Sequence, residues 1–426
     1  MWQKLFEKFL DNMMVRDRLR VTLPDGTIRD HGPATGETVE IAITTDAALR
    51  ALCLNPELAL GETYMDGTLR IDDLDDFFRV ILRNREAGTM PAWVNMTNRA
   101  RFHLRRFIQR NAPSRARQNV AHHYDISDDL YRTFLDRDMQ YSCAYFTDPH
   151  MSLEDAQAAK KAHIARKLCI EPGDRVLDIG CGWGGMALTL ARDYDCHVTG
   201  ITLSDNQLAT ARARARAEGL EDRVTFRKQD YRDVQERFDR IVSVGMLEHV
   251  GVPNYGTYFE TVARLLSPDG VALIHTIGRS APPMPHSAWL NKYIFPGGYI
   301  PSMSELARPL EASGLWQCDI EFWRLHYAMT LRHWRTRFEA NVDAIRRAHD
   351  DRFIAMFRYY FAICITAFEQ QMQGVYQFQL SHRRDAVPLT RDYLYRPEQA
   401  APLQAHRSRA ETPRAPVTQP EPENVS

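Results

Sequence analysis

The sequence predicts an α/β protein with a doubly wound, mainly parallel sheet, preceded by a small N-terminal α+β unit. Three observations carry this. From about residue 118 to 385, short apolar runs rich in branched residues alternate with helical segments, which implies parallel strands with crossover helices on both faces. One of those strands runs straight into a glycine turn, "VLDIGCGWGG", and such turns sit at the ligand crevice of open α/β sheets. Ahead of the alternation, residues 1 to about 85 carry a hairpin signal and helices of their own. A chain of 426 residues accommodates both units and a tail.

The elements follow in order. The amphipathic start "MWQKLFEKFLDNMMVRDRL" is helical and highly charged, and it lacks the apolar stretch and small-residue site of a secretory signal. "RLRVTLPDGTIRDHG" alternates around Asp25-Gly26, a hairpin turn, and "TVEIAIT" is a further strand. "TDAALRALCLNPELALGETYMDG" and "LDDFFRVILRN" read as helices, closing an N-terminal domain over residues 1–87. Residues 88–117 form a basic linker punctuated by Pro91 and Pro113. A catalytic domain over 118–395 is then expected. "DRVLDIGCG", "CHVTGITLS", "RVTFRKQDY", "FDRIVSVGM" and "DGVALIHTIG" are strands, and "GMALTLARDY", "NQLATARARARAEG" and "YGTYFETVARLL" are helices. Two late strands, "CDIEFWRL" and "GVYQFQLSH", flank a long helical segment. The Pro-, Ala- and Arg-rich tail 396–426 cannot build a core and is expected to be disordered.

Charge narrows the function. With 54 basic and 55 acidic residues the net charge is -1, so nothing favours nucleic acid as a partner. Locally, Ala87 to Tyr124 has no acidic residue but has Arg99, Arg101, Arg105, Arg106, Arg110, Arg115 and Arg117. That run either meets phosphates such as anionic lipid headgroups or is a solvated helix face. Seven cysteines without a CxxC pair argue against a metal-binding ribbon or a disulfide scaffold and for a reducing, cytoplasmic compartment. The longest apolar run, "YYFAICITAF", is too short to span a bilayer, so any membrane contact is peripheral.

Gly180, Gly182, Gly184 and Gly185 follow the first strand of the alternation. Glycines there allow close backbone approach to a ligand at a helix N-terminus. Asp178 lies inside the strand, and the next strand ends in "TLSDNQ", without the acidic residue a dinucleotide ribose needs. The third strand ends in Gln229-Asp230-Tyr231, polar groups suited to an adenine edge. This pattern favours S-adenosylmethionine over a nicotinamide cofactor. Further on, "LEHVG" leaves Glu248 and His249 where a buried strand ends, and a buried carboxylate requires a partner.

"HHYDISDDLYRTFLDRDMQYSCAYF", "LDIGCGWGG", "ITLSDNQ", "MLEHVG" and "YIFPGGYIPS", in that order, resemble the cyclopropane-fatty-acyl-phospholipid synthases and the related mycolic acid cyclopropane synthases. The resemblance runs from about Gln118 to Arg384, with a weaker likeness of the N-terminal unit to the extra domain of the phospholipid-acting branch. It implies a Rossmann-like class I methyltransferase sheet. It also implies transfer of a methylene from S-adenosylmethionine to the cis double bond of an unsaturated phospholipid acyl chain, through a carbocation and a bound bicarbonate base. Carried over by motif, Cys143, Glu248, His275, Tyr327 and the backbone of Ile277 hold the bicarbonate. Tyr141, Ser142, Asp178, Gly180, Cys181, Gly182, Gly184, Thr202, Leu203, Ser204, Gln207, Gln229 and Asp230 bind the cofactor. Cys364, marked as active in the family, sits in an apolar aromatic helix where a structural or lipid-lining role is preferred, because an alkene attacks a sulfonium methyl without an enzyme nucleophile.

The residues leave alternatives. Taken alone, Glu248 could cap a helix and His275 could be a core histidine, and His249 has a structural hydrogen bond as its default. Tyr141, Phe295 and Tyr299 either stabilise a cation or line an acyl tunnel. "IFPGGYIP" either admits a lipid or packs. A fatty-acyl C-methyltransferase giving branched or methylene products, and a non-catalytic lipid-binding protein, are the competing functions. A homodimer at the inner face of an anionic membrane is the expected setting.

Overall fold

The computed structural model describes residues 1–88, 96, 102–103, 128–370 and 372–395. The arginine run, most of the linker and the C-terminal tail lie outside the described residues. In the N-terminal domain, α1 (Trp2–Met13) turns Phe6, Leu10 and Met13 inward. Strands β1 (Arg18–Thr22) and β2 (Ile28–His31) form the expected antiparallel hairpin. Gly26 takes the positive φ the turn requires, at 82°. β3 (Thr38–Ile43) pairs in parallel with β1. The stretch expected as one helix is two, α2 (Asp46–Leu54) and α3 (Pro56–Met65). Pro56 cannot donate to the preceding turn and holds Asn55 away from helical geometry. β4 (Leu69–Ile71) completes a four-stranded sheet ordered β2-β1-β3-β4, and α4 (Leu74–Ala87) packs against it.

The end of α4 is pinned by one side chain. Asn84 is fully buried, and its Oδ1 accepts from the backbone N–H groups of Val15, Arg16 and Asp17 at 2.9, 2.8 and 3.3 Å. Its Nδ2 donates to Asp17 and to the Val80 carbonyl. The turn leaving α1 is thereby fixed to the last turn of α4.

The larger domain opens with α5 (Asp128–Phe134) and α6 (Leu153–Lys167). Alternation follows: β5 (Arg175–Ile179), α7 (Gly185–Asp193), β6 (His197–Thr202), α8 (Asp205–Ala217), β7 (Val224–Lys228), β8 (Phe238–Val244), α9 (Tyr255–Leu265) and β9 (Leu266–Arg279). Then come α10 (Ala288–Tyr293), α11 (Met303–Ala312), β10 (Trp316–Trp323), α12 (His326–Ala340), α13 (Val342–Arg346), α14 (Asp351–Glu369), β11 (Gln373–Ser381) and α15 (Asp392–Tyr395). The sheet runs β10-β11-β9-β8-β5-β6-β7. Only β11 is antiparallel to its neighbours, so the sheet is mixed at one end rather than parallel throughout. Two apolar layers cover its faces, one built around Tyr258, Phe259 and Leu306, the other around Leu188, Leu208 and Ala211.

α14 joins the domains. Its Tyr359 packs on Phe78 of α4 and Trp289 of α10, with ring centroids 5.1 and 4.4 Å apart. Arg335 of α12 reaches Asp75 of α4 bidentately at 2.6 and 2.8 Å. We expect Asn84→Ala to cost about 1–3 kcal/mol, since three backbone donors, that of Asp17 in a buried setting, lose their acceptor. The urea midpoint measures this; an unchanged midpoint contradicts the role given to Asn84.

Candidate active site

The parallel strands carry their chemistry at their C-terminal ends. Behind β5, Gly180 takes φ 82°, and a Cβ there would approach Met246 to 3.0 Å. The turn and the ends of β6 and β7 enclose a cleft of about 170 Å³. Tyr141, Ser142, Asp178, Gly180, Cys181, Gly182, Thr202, Leu203, Gln207, Gln229 and Asp230 all line it. Two of the expected cofactor residues stand behind the lining. Gly184 is the N-cap of α7 at φ 86°, pressed against the Phe226 ring, and Ser204 caps α8 by accepting from the Gln207 N–H at 3.2 Å. Asp230, expected at an adenine edge, is paired with Arg232 at 2.6 Å.

Asp178 is buried, with one carboxylate oxygen lacking any partner. Burial pushes its carboxyl up to about 7, against the pull of the Lys160 charge. Lys160, on α6, is a fully buried lysine that no sequence motif marks. Its Nζ donates to Gln140 Oε1 and Ser142 Oγ at 2.8 Å each, and burial lowers it to about 8. Gln157, one turn earlier, donates to the carbonyls of Gln140 and Ser142 at 3.3 and 3.0 Å. The two side chains hold the 140–142 segment against the cleft.

A second cavity, about 90 Å³, adjoins the first. Tyr141, Ser142, Gly245 and His249 line both. Cys143, Glu248, His275, Ile277, Tyr327 and Cys364 all line this second cavity, so every expected catalytic residue meets in one place. Glu248 is the one Asp, Glu, Lys or Arg among its described lining residues. It sits not in β8 but in a short 3-10 turn, Leu247–His249, beyond Gly245 at φ 67°. Its Oε1 accepts from the Ile277 N–H at 2.6 Å, while Oε2 is buried without a hydrogen bond. Burial raises Glu248 to about 7, and the Ile277 N–H offsets part of that rise. The amide expected to face an anion is thus committed to Glu248.

Gln377 Nε2 lies 3.1 Å from His275 Nδ1. Donation from Gln377 sets the tautomer with the proton on Nε2. Burial drives His275 well below its usual range, so the ring is neutral. His249, given only a structural default, lines both cavities and is lowered by burial to about 4. The Cys143 thiol is fully buried and pushed far up, and Cys364 is pushed up to about 12, so neither is a thiolate. Aromatic rings make up much of the wall. Tyr141 stacks on Trp334 with centroids 5.2 Å apart and meets the Tyr360 hydroxyl at 3.2 Å. Tyr299 is spent on Glu305, donating at 2.9 and 3.0 Å.

Comparison with known proteins agrees with this geometry. Residues 111–378 match the model of the mycolic acid cyclopropane synthetase family. The chain belongs to that family of S-adenosylmethionine-dependent methyltransferases. Residues 3–89 match a separate domain of unknown function. The chain is 44% identical over 311 residues to the cyclopropane-fatty-acyl-phospholipid synthase of Escherichia coli K12, covering 73% of this chain and 79% of that one. It is 34% identical to a probable fatty acid methyltransferase of Pseudomonas putida, covering 89% and 96%. Among solved structures, mycolic acid cyclopropane synthase CmaA1 complexed with SAH and CTAB superposes with TM-score 0.58 at 33% identity, over 62% of this chain and 97% of that one.

The raised Glu248 carboxyl makes stability pH-dependent. Below the unfolded value of 4.5 the group is protonated in both states; as pH rises towards 7 only the unfolded state ionises, so stability falls. Glu248→Gln removes that loss. It is expected to be more stable than the parent by about 2–3 kcal/mol at pH 8 and by less than about 1 at pH 5. Urea unfolding at the two pH values checks this, and equal differences at both would contradict it.

Proposed function

We propose that the chain adds a methylene across the cis double bond of an unsaturated phospholipid acyl chain, closing a cyclopropane ring. The observation that carries this is the junction of the glycine-walled cleft with a small aromatic cavity holding Glu248, His275, Cys143 and Tyr327 together. The cleft fits S-adenosylmethionine: Gly180 takes a positive φ that lets the backbone turn along the cleft, and the orphan Asp178 oxygen offers an acceptor for a polar ligand. Asp178, Gly180, Gly182, Gln207 and Gln229 would hold it. When bound, it supplies an electrophilic methyl group.

The chain's own residues account for the rest. Tyr141, Tyr327, Phe295 and Tyr360 line the cavity where a carbocation on the acyl chain would form; their faces stabilise positive charge while excluding water. The proton lost in ring closure needs a base. Bicarbonate held in this cavity fits the donors: the His275 Nε2–H, the Tyr327 hydroxyl and a protonated Glu248 through its free Oε2 can all face an anion. A neutral Glu248 removes the repulsion two anions would otherwise have. The Ile277 amide supports this set indirectly, through Glu248.

A domain arrangement of 1–87, 88–117, 118–395 and 396–426, a homodimer and a peripheral membrane contact belong to the same reading. The acid-free arginine run supports the membrane contact. Among the described residues, no helix is long and apolar enough to cross a membrane. A fatty-acyl C-methyltransferase is the second reading, favoured by the Pseudomonas putida relative, whose likeness spans 89% of this chain.

The test is incubation with S-adenosylmethionine and dioleoyl phosphatidylglycerol vesicles, with gas chromatography of the acyl esters. The expected product gains one CH2 as a ring; a branched or methylene chain would select the second reading. Glu248→Gln is expected to keep cofactor binding and lose about 100-fold or more in kcat, and wild-type turnover would remove Glu248 from the chemistry.

A further inference from the structure

Against a face of α14 next to the one that lines the catalytic cavity lies a larger apolar chamber of about 380 Å³. The N-terminal domain supplies most of its wall, including Phe9, Leu60, Phe77 and Ile81. α14 is the partition. Tyr359 and Ile363 face the chamber, whereas Tyr360 and Cys364 face the catalytic cavity. The segment entering α10 divides likewise, with Ser287 and Ala288 on the chamber and His286 and Leu290 on the cavity. The two spaces thus share α14 as a common wall. Native interiors keep few voids larger than a water molecule, so an apolar space of this size marks a place for an apolar ligand.

One arginine lines it, and a second, buried arginine feels the charge of the first. Arg85, in the last turn of α4, lines the chamber. Arg279 ends β9, four residues after His275, and is only 9% exposed. Its Nε donates to the Ile300 carbonyl at 3.2 Å, and its two terminal nitrogens have no hydrogen-bond or ion-pair partner among the described residues. Burial depresses the Arg279 guanidinium and the positive charge of Arg85 adds to this, while Tyr299, Glu305 and Glu57 pull the other way. A buried guanidinium that makes no direct ion pair among the described residues is unfavourable. A guanidinium pair suits a phosphate diester, which it can grip with parallel N–H donors.

We propose that the chamber holds the companion acyl chain of the same diacyl phospholipid whose unsaturated chain enters the catalytic cavity, with Arg85 and Arg279 holding the lipid phosphate. The substrate thereby straddles α14, and the N-terminal domain is part of the substrate site. This rests on the phospholipid reading above but concerns a different cavity. A free fatty acid is the other anionic amphiphile that could fill such a space, and the test separates the two.

The full chain is given S-adenosylmethionine with either dioleoyl phosphatidylglycerol or its one-chain counterpart, oleoyl lysophosphatidylglycerol, and ring formation is followed by mass spectrometry. Leu60→Trp fills the chamber and is expected to lower the diacyl-to-monoacyl ratio of kcat/KM about tenfold, mostly through KM, since burial of about two methylenes is lost. A ratio equal to that of the parent overturns the proposal. In parallel, retention of labelled dioleoyl phosphatidylglycerol is measured without turnover. Arg85→Gln is expected to weaken it about tenfold, and unlabelled phosphatidylglycerol, but not equimolar oleate, is expected to displace the label. Unchanged retention in Arg85→Gln, or displacement by oleate as effective as by phospholipid, overturns the proposal, and this arm stands even if Leu60→Trp does not fold. Retention that behaves as expected while the parent forms no ring would instead overturn the proposed reaction.

Discussion

The hydrogen bond from the Ile277 amide to Glu248 organises the catalytic cavity. β8 stops at Val244, opposite His275, and the Gly245 N–H still reaches the His275 carbonyl at 2.9 Å. Two residues further along β9, the Ile277 N–H points the same way but finds no strand beside it. A buried amide left there would be costly. Glu248, carried by the short turn after β8, takes the place of the missing strand. One carboxylate oxygen is satisfied, the other is left in the cavity, and the surrounding apolar wall raises the group to about 7. A structural need of the sheet edge thus fixes the aim of a reactive acid.

The same edge separates two kinds of ligand. Backbone and polar groups at the ends of β5, β6 and β7 face the cleft, while aromatic rings from α12 and α14 face the cavity. Tyr141 and Ser142 form the boundary, and their position depends on buried polar groups behind them. Lys160 and Gln157 reach across from α6 to do this. An ammonium buried this deeply is held by the acceptors Gln140 and Ser142 and by the nearby Asp136 charge, so the boundary segment and the lysine fix each other.

Much of this could be read in advance where topology does the work. A parallel sheet places its strand C-termini on one edge, so Glu248 and His275 had to approach each other once their strands were recognised. The glycine turn was legible for the same reason. Lys160 was not, because "AQAAKKAH" carries two adjacent lysines and nothing local says that both are buried, Lys160 fully. That the Ile277 amide donates to Glu248 was not legible, since this depends on the observed register of β8 and β9. Gly184 and Ser204 lie within the cofactor motifs but serve as helix caps, a distinction that depends on which way the backbone turns. The split between α2 and α3 was written in Asn55-Pro56 and passed over. The reversal of β11 is a property of the sheet's end, where the helical segment ahead of it returns the chain in the opposite sense.

The protonation state of Glu248 in the resting protein is the point at which all of this can be tested most directly. Carbon-13 NMR of the labelled Glu248 carboxyl, titrated from pH 4 to 9 against Glu248→Gln for assignment, reads it without turnover. Titration centred near 7 is the predicted result. A midpoint near 4.5, the value of an unburied glutamate, would contradict it.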